Sequence, residues 1–323
     1  MKARDADGQR PSLRSAGRRR SKLPDQRRAS CMKRAATRTG GGLFLRNTLR
    51  KSGACLTTLA MTLSLLFATT TTKAQDSFRL LRTVPVAATD FAVDQLDNLY
   101  LLTPGGLLKK YGPAGDSVAV FNNVRRFGRI EGLDVSNPLR PLLFYKDFST
   151  IVMLDRFLAQ KSVLDLRRQG IAQASAAATA YDNNIWVFDA VEGKLKKLDE
   201  SGRELQSTPD LRQLLGYSFQ PEKIVDEDNS VYLFDPKAGV LRFDYYGTLQ
   251  KKFPAQSWRS FQVLDRQLVG VNEGALVLFN TVTYLQRQYQ FPSSFGGFQR
   301  YLVGNGKLFA LGKDSVSIYR IGY

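Results

Sequence analysis

Three carboxylates occupy matching positions in a repeated pattern: Asp90, Glu131 and Glu222 each open the first strand of a recurring unit. Oxygen ligands converging from several units are what a hard cation such as calcium takes, about six to eight at a time. Ala178 and Thr179, Phe261 and Gln262, and Arg300 hold the same place in other units. A second set is basic and aromatic. Connecting segments carry Arg125, Arg126 and Arg129, then Arg167 and Arg168, Arg212 with Tyr217, Trp258 with Arg259, and Phe295 and Phe298 with Arg300. Arginine offers forked hydrogen bonds and aromatic rings offer rigid contact area. Arg129, Arg168, Arg212, Trp258, Arg259 and Arg300 are therefore expected to form a surface that recognises a protein, peptide or glycan.

Other chemistries are removed by what the chain lacks. It has no histidine, and its two cysteines, Cys31 and Cys55, both precede the repeats. Ser-His-Asp hydrolysis, thiol nucleophiles in the repeat region, and histidine-ligated zinc, copper or haem are excluded. Carboxylates, lysine, tyrosine or an oxygen-ligated cation remain. The expected function is non-catalytic binding with no cofactor. The alternative is a calcium-dependent lactonase or hydrolase using Asp90, Glu131 and Glu222.

The elements that must position these residues recur about every forty residues from Asp90 onward. The clearest copy runs Glu222–Asp226, a turn at Asp228 and Asn229, Val231–Phe234, a loop to Gly239, Val240–Asp244, a turn ending at Gly247, and Leu249–Phe253. Each short β-branched or aromatic run is bounded by Asp, Asn, Gly or Pro, so each unit reads as four antiparallel strands. The second strands fall at Leu99, Leu142, Ile185, Val231, Leu268 and Leu308. Four strands at roughly 40 to 45 residues per unit is the mark of a propeller blade. The expected fold is all-β, a six-bladed β-propeller of four-stranded antiparallel blades over residues 75–323. The sixth unit stops after three strands, and Phe78–Val84 is a strand with no unit of its own. That N-terminal strand is expected to complete the last blade and close the ring.

Several conspicuous residues fit this architecture. Asp94, Asp134, Asp182, Asp226 and Asp265 end first strands and are expected to stabilise the following turns. Trp186, Tyr232 and Phe309 are expected to face neighbouring blades. The recurring Phe219-Gln220, Phe261-Gln262 and Phe298-Gln299 pairs read as blade packing. Lys194, Lys196 and Lys197 read as a solvated face.

Composition divides the chain in two. Residues 1–74 hold 17 of the 47 basic but 3 of the 29 acidic residues, leaving the repeat region near balance. A near-balanced domain carries no stripe for phosphate backbones, so nucleic acid is not an expected partner. Lys33, Arg34, Arg38, Arg46, Arg50 and Lys51 precede the apolar run Ala54–Ala68, and Thr72-Lys73-Ala74 follows. A basic stretch, an apolar core and small residues at a cleavage site describe a signal peptide, with the mature chain starting at Gln75. The apolar run is shorter than the ~20 residues of a membrane span. Met32 is the better start of that leader, and the residues before it form a basic, non-periodic extension. Cys55 lies ahead of the apolar run, where lipid attachment would leave that run in place. The expected location is periplasmic, extracellular or cell-surface.

Inner strands ending in Asp, Asn-containing turns, aromatic second strands and closing Asp-x-x-Gly turns resemble the six-bladed propellers of the NHL-repeat and gluconolactonase-like group. The likeness covers Phe78 to Tyr323. The leader ending Lys-Ala-Gln and the blade texture are similar to exported propeller proteins of the Bacteroidetes type. Lactonases of the group hold a divalent cation with a Glu, Asn and Asp set. The resemblance implies that Glu131 or Glu222 would supply the acid, but no Asn stands at the corresponding strand starts.

Overall fold

The computed structural model describes residues 78–122 and 124–322. The leader, its cleavage site and both cysteines lie outside the described residues. Six four-stranded antiparallel sheets form six blades, as the repeat spacing predicts. Blade 1 consists of Asp90–Val93, Leu99–Leu102, Leu108–Tyr111 and Ser117–Phe121. Blade 2 consists of Gly132–Asp134, Leu142–Tyr145, Thr150–Leu154 and Gln160–Asp165, blade 3 of Ala174–Thr179, Ile185–Asp189, Lys194–Leu198 and Glu204–Ser207, and blade 4 of Lys223–Glu227, Ser230–Asp235, Gly239–Phe243 and Leu249–Phe253. Blade 5 consists of Arg259–Leu264, Gln267–Asn272, Ala275–Asn280 and Gln286–Gln290, and blade 6 begins with Arg300–Gly304, Lys307–Leu311 and Val316–Ile321.

The second strand of each blade is apolar along nearly its whole length because it is covered on both sides. In blade 1, Tyr100 and Leu102 pack toward blade 2, whereas Leu99 and Leu101 pack toward blade 6. In blade 3, Trp186 and Phe188 face blade 4 while Ile185 and Val187 face blade 2. The core is consequently a ring of six apolar clusters, one per junction between blades. Tyr232 and Phe309 follow the same rule, as expected. Outer strands are largely solvent-facing, Leu249–Phe253 being exposed at three successive positions.

Closure takes the expected form. Phe78–Val84 pairs antiparallel with Val316–Ile321, Phe78 opposite Ile321 and Val84 opposite Val316, with an irregularity between Leu80 and Arg82. Sequence-distant segments thus satisfy each other's edge hydrogen bonds.

Antiparallel alternation sorts every connection onto one of two faces. The entrance face carries the loops that join each outer strand to the next blade, together with the loops between second and third strands. The turn face carries the hairpins between first and second strands and between third and fourth strands. Positive φ occurs at Asp97, Asn183, Asp228, Asn229 and Asn305 on the turn face, where Asp and Asn tolerate it. Asp155, Asp199 and Asp244 each accept two backbone N–H groups through one carboxylate oxygen, which accounts for their recurrence in the outer hairpins.

Candidate functional site

On the entrance face the structure spreads the expected site residues into separate local contacts. Arg300 pairs with Asp90 at 2.5 Å across the junction of blades 6 and 1. Glu131 faces Arg129 at 3.6 Å. Glu222 is exposed at the start of blade 4. Asp90 is thus engaged by a guanidinium rather than turned toward the other two carboxylates. Among the described residues no group of three Asp, Glu, His or Cys side chains is placed to hold a metal ion. The arrangement does not fit a calcium centre built on Asp90, Glu131 and Glu222.

The arginines of this face differ in what they do. Arg212 forks onto Asp210, with Nε 2.9 Å from Oδ1 and Nη2 2.8 Å from Oδ2, and also reaches the Glu192 carbonyl at 3.0 Å. The Arg212 guanidinium holds the Asp210 carboxyl below the usual carboxylate range. Asp210 also caps the short helix Leu211–Leu215 by accepting the Arg212 N–H, so this pair fastens a loop. Arg129 and Arg168 are 72% and 84% exposed at the side chain, and Arg168 lies 3.4 Å from Asp165. Arg259 is exposed.

Trp258 corrects the expectation of a contact residue. It is only 6% exposed and belongs to the core between blades 4 and 5. A Cβ at Gly270 would come within 2.4 Å of its indole Cε3, so the missing side chain of Gly270 makes the slot the ring occupies. A small entrance-face cavity of about 370 Å³ is lined by Lys146, Asp147, Ser149 and Arg167, and Arg167 is tethered to the Asp147 carbonyl at 2.7 Å.

Lys223 sits at the inner end of blade 4 and donates to the Phe261 carbonyl of blade 5 at 2.9 Å. Burial pushes its ammonium down to about 8, the positive field of Arg300 adds to this, and Asp90 and Asp134 oppose it. This side chain is a cation held among protein walls near the axis of the ring.

The turn face holds the more developed arrangement. Tyr181, in the first hairpin of blade 3, stacks on Tyr245 of blade 4 with ring centroids 4.3 Å apart and 13° between planes. The Lys197 ammonium lies 4.8 Å from the Tyr181 ring centre and 5.2 Å from that of Trp186, and it pairs with Asp182 at 2.7 Å. Asp226 accepts from the Tyr181 N–H at 3.1 Å, the Trp186 indole at 2.8 Å and the Tyr245 hydroxyl at 2.7 Å. Burial pushes the Asp226 carboxyl up, against the pull of these three donors. For Asp182 burial acts in the same direction, but Lys197 and Asn184 outweigh it and leave the carboxyl below its ordinary value.

Two expectations change here. Asp94 does stabilise its turn, accepting from the Leu96 and Asn98 N–H groups. Asp226 instead ties blade 4 to blade 3, and Asp134 accepts from its own turn at Ser136 and from Thr179 of the next blade. Lys196 and Lys197 are buried ion-pair partners rather than a solvated face. The third strand of blade 3 is covered on both sides, so alternation does not bring these two ammonium groups to solvent.

Similar cross-blade links run round this face. Asn305 and Lys307 both reach Asp97, at 2.9 Å and 2.7 Å. Asn137 donates to Asn183 at 3.0 Å. The Arg266 N–H donates to Asp228 at 2.6 Å. The Gln262 amide both accepts from and donates to the backbone of Val303, as a strand partner would. The result is a rigid floor of hairpins. It surrounds a cavity of about 360 Å³ lined by Gln95, Ser136, Asn137, Tyr181, Asn183, Asp226 and Glu227, which come from four successive blades.

Exposed large apolar side chains stand on both faces, Phe148, Val191, Leu214 and Tyr217 on the entrance face and a larger set on this floor. Leu96, Leu139, Phe157, Tyr181, Tyr246, Tyr284 and Leu285 stand in its hairpins, with Tyr181 63% and Tyr246 87% exposed. The residues expected from the sequence to form a contact surface lie on the opposite face. The available signal was the aromatic residues at hairpin tips, as in Asp244-Tyr-Tyr-Gly247 and Tyr181-Asp-Asn-Asn184. A tight turn needs Gly, Asn or Asp, and an aromatic ring adds nothing to its backbone geometry.

No family model matches the chain, and no curated protein matches it in sequence. Solved structures do match in fold. A catalytically inactive histidine-to-alanine variant of virginiamycin B lyase from Staphylococcus aureus, with quinupristin, is 10% identical, covers 75% of this chain and 99% of its own, and gives a TM-score of 0.55. A streptogramin B lyase structure is 12% identical over 72% of this chain and 78% of its own, with a TM-score of 0.52. The β-propeller domain of Cps50 (Swd1) from Myceliophteria thermophila is 10% identical over 76% of this chain and 100% of its own, also at 0.52. At these identities the likeness is one of fold.

Proposed function

We propose that this protein is an exported, non-catalytic propeller that binds a protein, peptide or glycan partner, and that the turn face is its contact surface. The observation that carries this reading is the larger set of exposed aromatic and aliphatic side chains on the turn face, with Tyr181 and Tyr246 foremost. Rings held on a pre-organised scaffold give contact area at little entropic cost, which is why aromatic residues dominate binding surfaces. The arginines of the entrance face support it less, since Arg212 and Arg300 are occupied by Asp210 and Asp90.

One further consideration supports binding over catalysis. The Staphylococcus aureus lyase is catalytically inactive as its histidine-to-alanine variant, and this chain has no histidine at all. The near-balanced charge of the repeat region argues against nucleic acid as partner. The basic, apolar and small-residue order of residues 33–74 supports export to the periplasm or cell exterior. Among the described residues no helix is long and apolar enough to cross a membrane.

Site-specific photo-crosslinking tests the assignment. A photoreactive residue replaces Phe157, Tyr246 or Tyr284 on the turn face, or Arg168 or Leu214 on the entrance face, and adducts are read from the cell envelope. Discrete adducts from the turn-face positions are expected. Adducts confined to the entrance face would move the contact surface there.

A further inference from the structure

The cavity in the turn face has the chemistry of a carbohydrate subsite. Tyr181 is an exposed ring with supports on its inner side. Tyr245 backs it from one side, Lys197 lies against it, and its backbone N–H is held by Asp226. A flat ring fixed in this way presents a ready platform to a ligand, with little rotamer freedom left to lose on binding. The same cavity is lined by Gln95, Ser136, Asn137, Asn183 and Glu227. Amide and hydroxyl groups both donate and accept hydrogen bonds, and the Glu227 carboxylate accepts them. They suit a ligand whose own groups do both.

Charge argues against an anionic ligand, since the Glu227 carboxylate stands in the cavity lining with Asp228, Asp265 and Asp226 near it. The Asp226 carboxylate is committed to three donors, and the carboxylates near it do not group into a metal site among the described residues. The positive charge beside the ring is already supplied by Lys197, paired with Asp182. The cavity of about 360 Å³ is small but within the usual scale of ligand sites. The Asn137 amide is oriented by its bond to Asn183 and by accepting the Leu139 N–H, so part of the polar wall is pre-set.

We infer that this cavity binds one sugar ring of a neutral glycan, the apolar C–H face of the pyranose lying on Tyr181 and its hydroxyls meeting Gln95, Ser136, Asn137, Asn183 and Glu227. The inference rests on the scaffold reading above and deepens it by naming the ligand class at the mouth of the turn face.

The test uses the purified full chain with cellotriose, maltotriose and N,N′,N″-triacetylchitotriose as neutral probes, and choline and arginine amide as cationic ones. Saturation-transfer NMR is expected to show contact at the ring C–H protons of at least one trisaccharide. Tyr181→Ala and Ser136→Tyr are each expected to weaken that binding about tenfold, while Tyr181→Phe, which keeps the ring, stays within about twofold. Ser136→Tyr fills the cavity from an exposed position, so it remains informative if Tyr181→Ala melts early by circular dichroism. Trisaccharide binding unchanged in both variants, binding of the cationic probes alone, or no binding of any trisaccharide would each overturn the sugar assignment. Turn-face crosslinks at Tyr246 that persist in the last case would leave the wider scaffold reading standing, and their loss would remove both.

Discussion

Tyr181 and Tyr245 lie ring on ring across the junction of blades 3 and 4, at 4.3 Å and 13°, and the hydroxyl of Tyr245 continues to Asp226 at 2.7 Å. One residue thereby fixes an exposed ring and satisfies a buried carboxylate. The blade-to-blade contact and the candidate ligand platform are the same object, so stability and binding should respond together to changes here.

Tyr245→Phe separates the two roles. The ring stack survives, but Asp226 loses one of three donors in a buried setting, at a cost of about 1–3 kcal/mol in urea unfolding. The Asp226 carboxyl is already pushed up by burial, and losing a donor raises it further. A carboxyl with a raised folded value adds stability at acid pH and loses it as pH rises through that value. The deficit of the variant should therefore be small in acid and grow toward neutrality. A deficit equal at both ends would separate Tyr245 from the charge of Asp226.

Lys223 gives the opposite pH signature. Its ammonium is pushed down to about 8 from an ordinary value of 10.5, first by burial and then by Arg300. The unfolded chain binds the proton more tightly, so stability rises as pH climbs between those two values. Lys223→Met removes the half-buried charge and leaves the Phe261 carbonyl without its donor. The net effect expected at neutral pH is a gain of about 1 kcal/mol, shrinking as pH rises. Thermal melts across that range check it, and a difference that does not vary with pH would refute the assignment.

Much of the fold was legible because a blade repeats its own grammar. Leu99, Leu142, Ile185, Val231, Leu268 and Leu308 all lie on second strands, and Phe78–Val84 closes the ring where the missing strand required it. The candidate site was not legible to the same degree, because it is made by contacts between blades. Nothing near Tyr181 in sequence announces Tyr245, and nothing near Trp258 announces that Gly270 opens a slot for it. Lys197 looked solvated by strand alternation, which holds only where one face of a strand meets water. Arg212 looked available because Asp210, two residues away, can be read either as its partner or as a helix cap, and in the structure it is both.

Gly270→Ala tests the slot directly. The added carbon would meet the Trp258 indole at 2.4 Å, and this strand runs between packed neighbours, so neither ring nor backbone has room to yield. Overpacking of this kind costs about 1–3 kcal/mol. Denaturant unfolding should show a lower midpoint with an unchanged slope, accompanied by a shift in tryptophan emission. Unaltered emission would mean that Trp258 is not seated on Gly270.

The ring closure sets the last expectation. Phe78–Val84 contributes the outer strand of blade 6, and Phe78 is also buried in the core between blades 5 and 6, 5.5 Å from Phe291 and 5.4 Å from Phe295 by ring centres. Removing residues 78–84 would expose the edge of Val316–Ile321 and unseat that aromatic cluster at once. An unpaired strand edge recruits other chains, while loss of a buried Phe alone costs about 3–5 kcal/mol. The truncated protein should lose its single cooperative melt and associate in light scattering. Phe78→Ala, which leaves the strand pairing in place, should stay monomeric and melt cooperatively at lower temperature. If both variants associate equally, the aromatic cluster rather than the strand edge is what holds the ring shut.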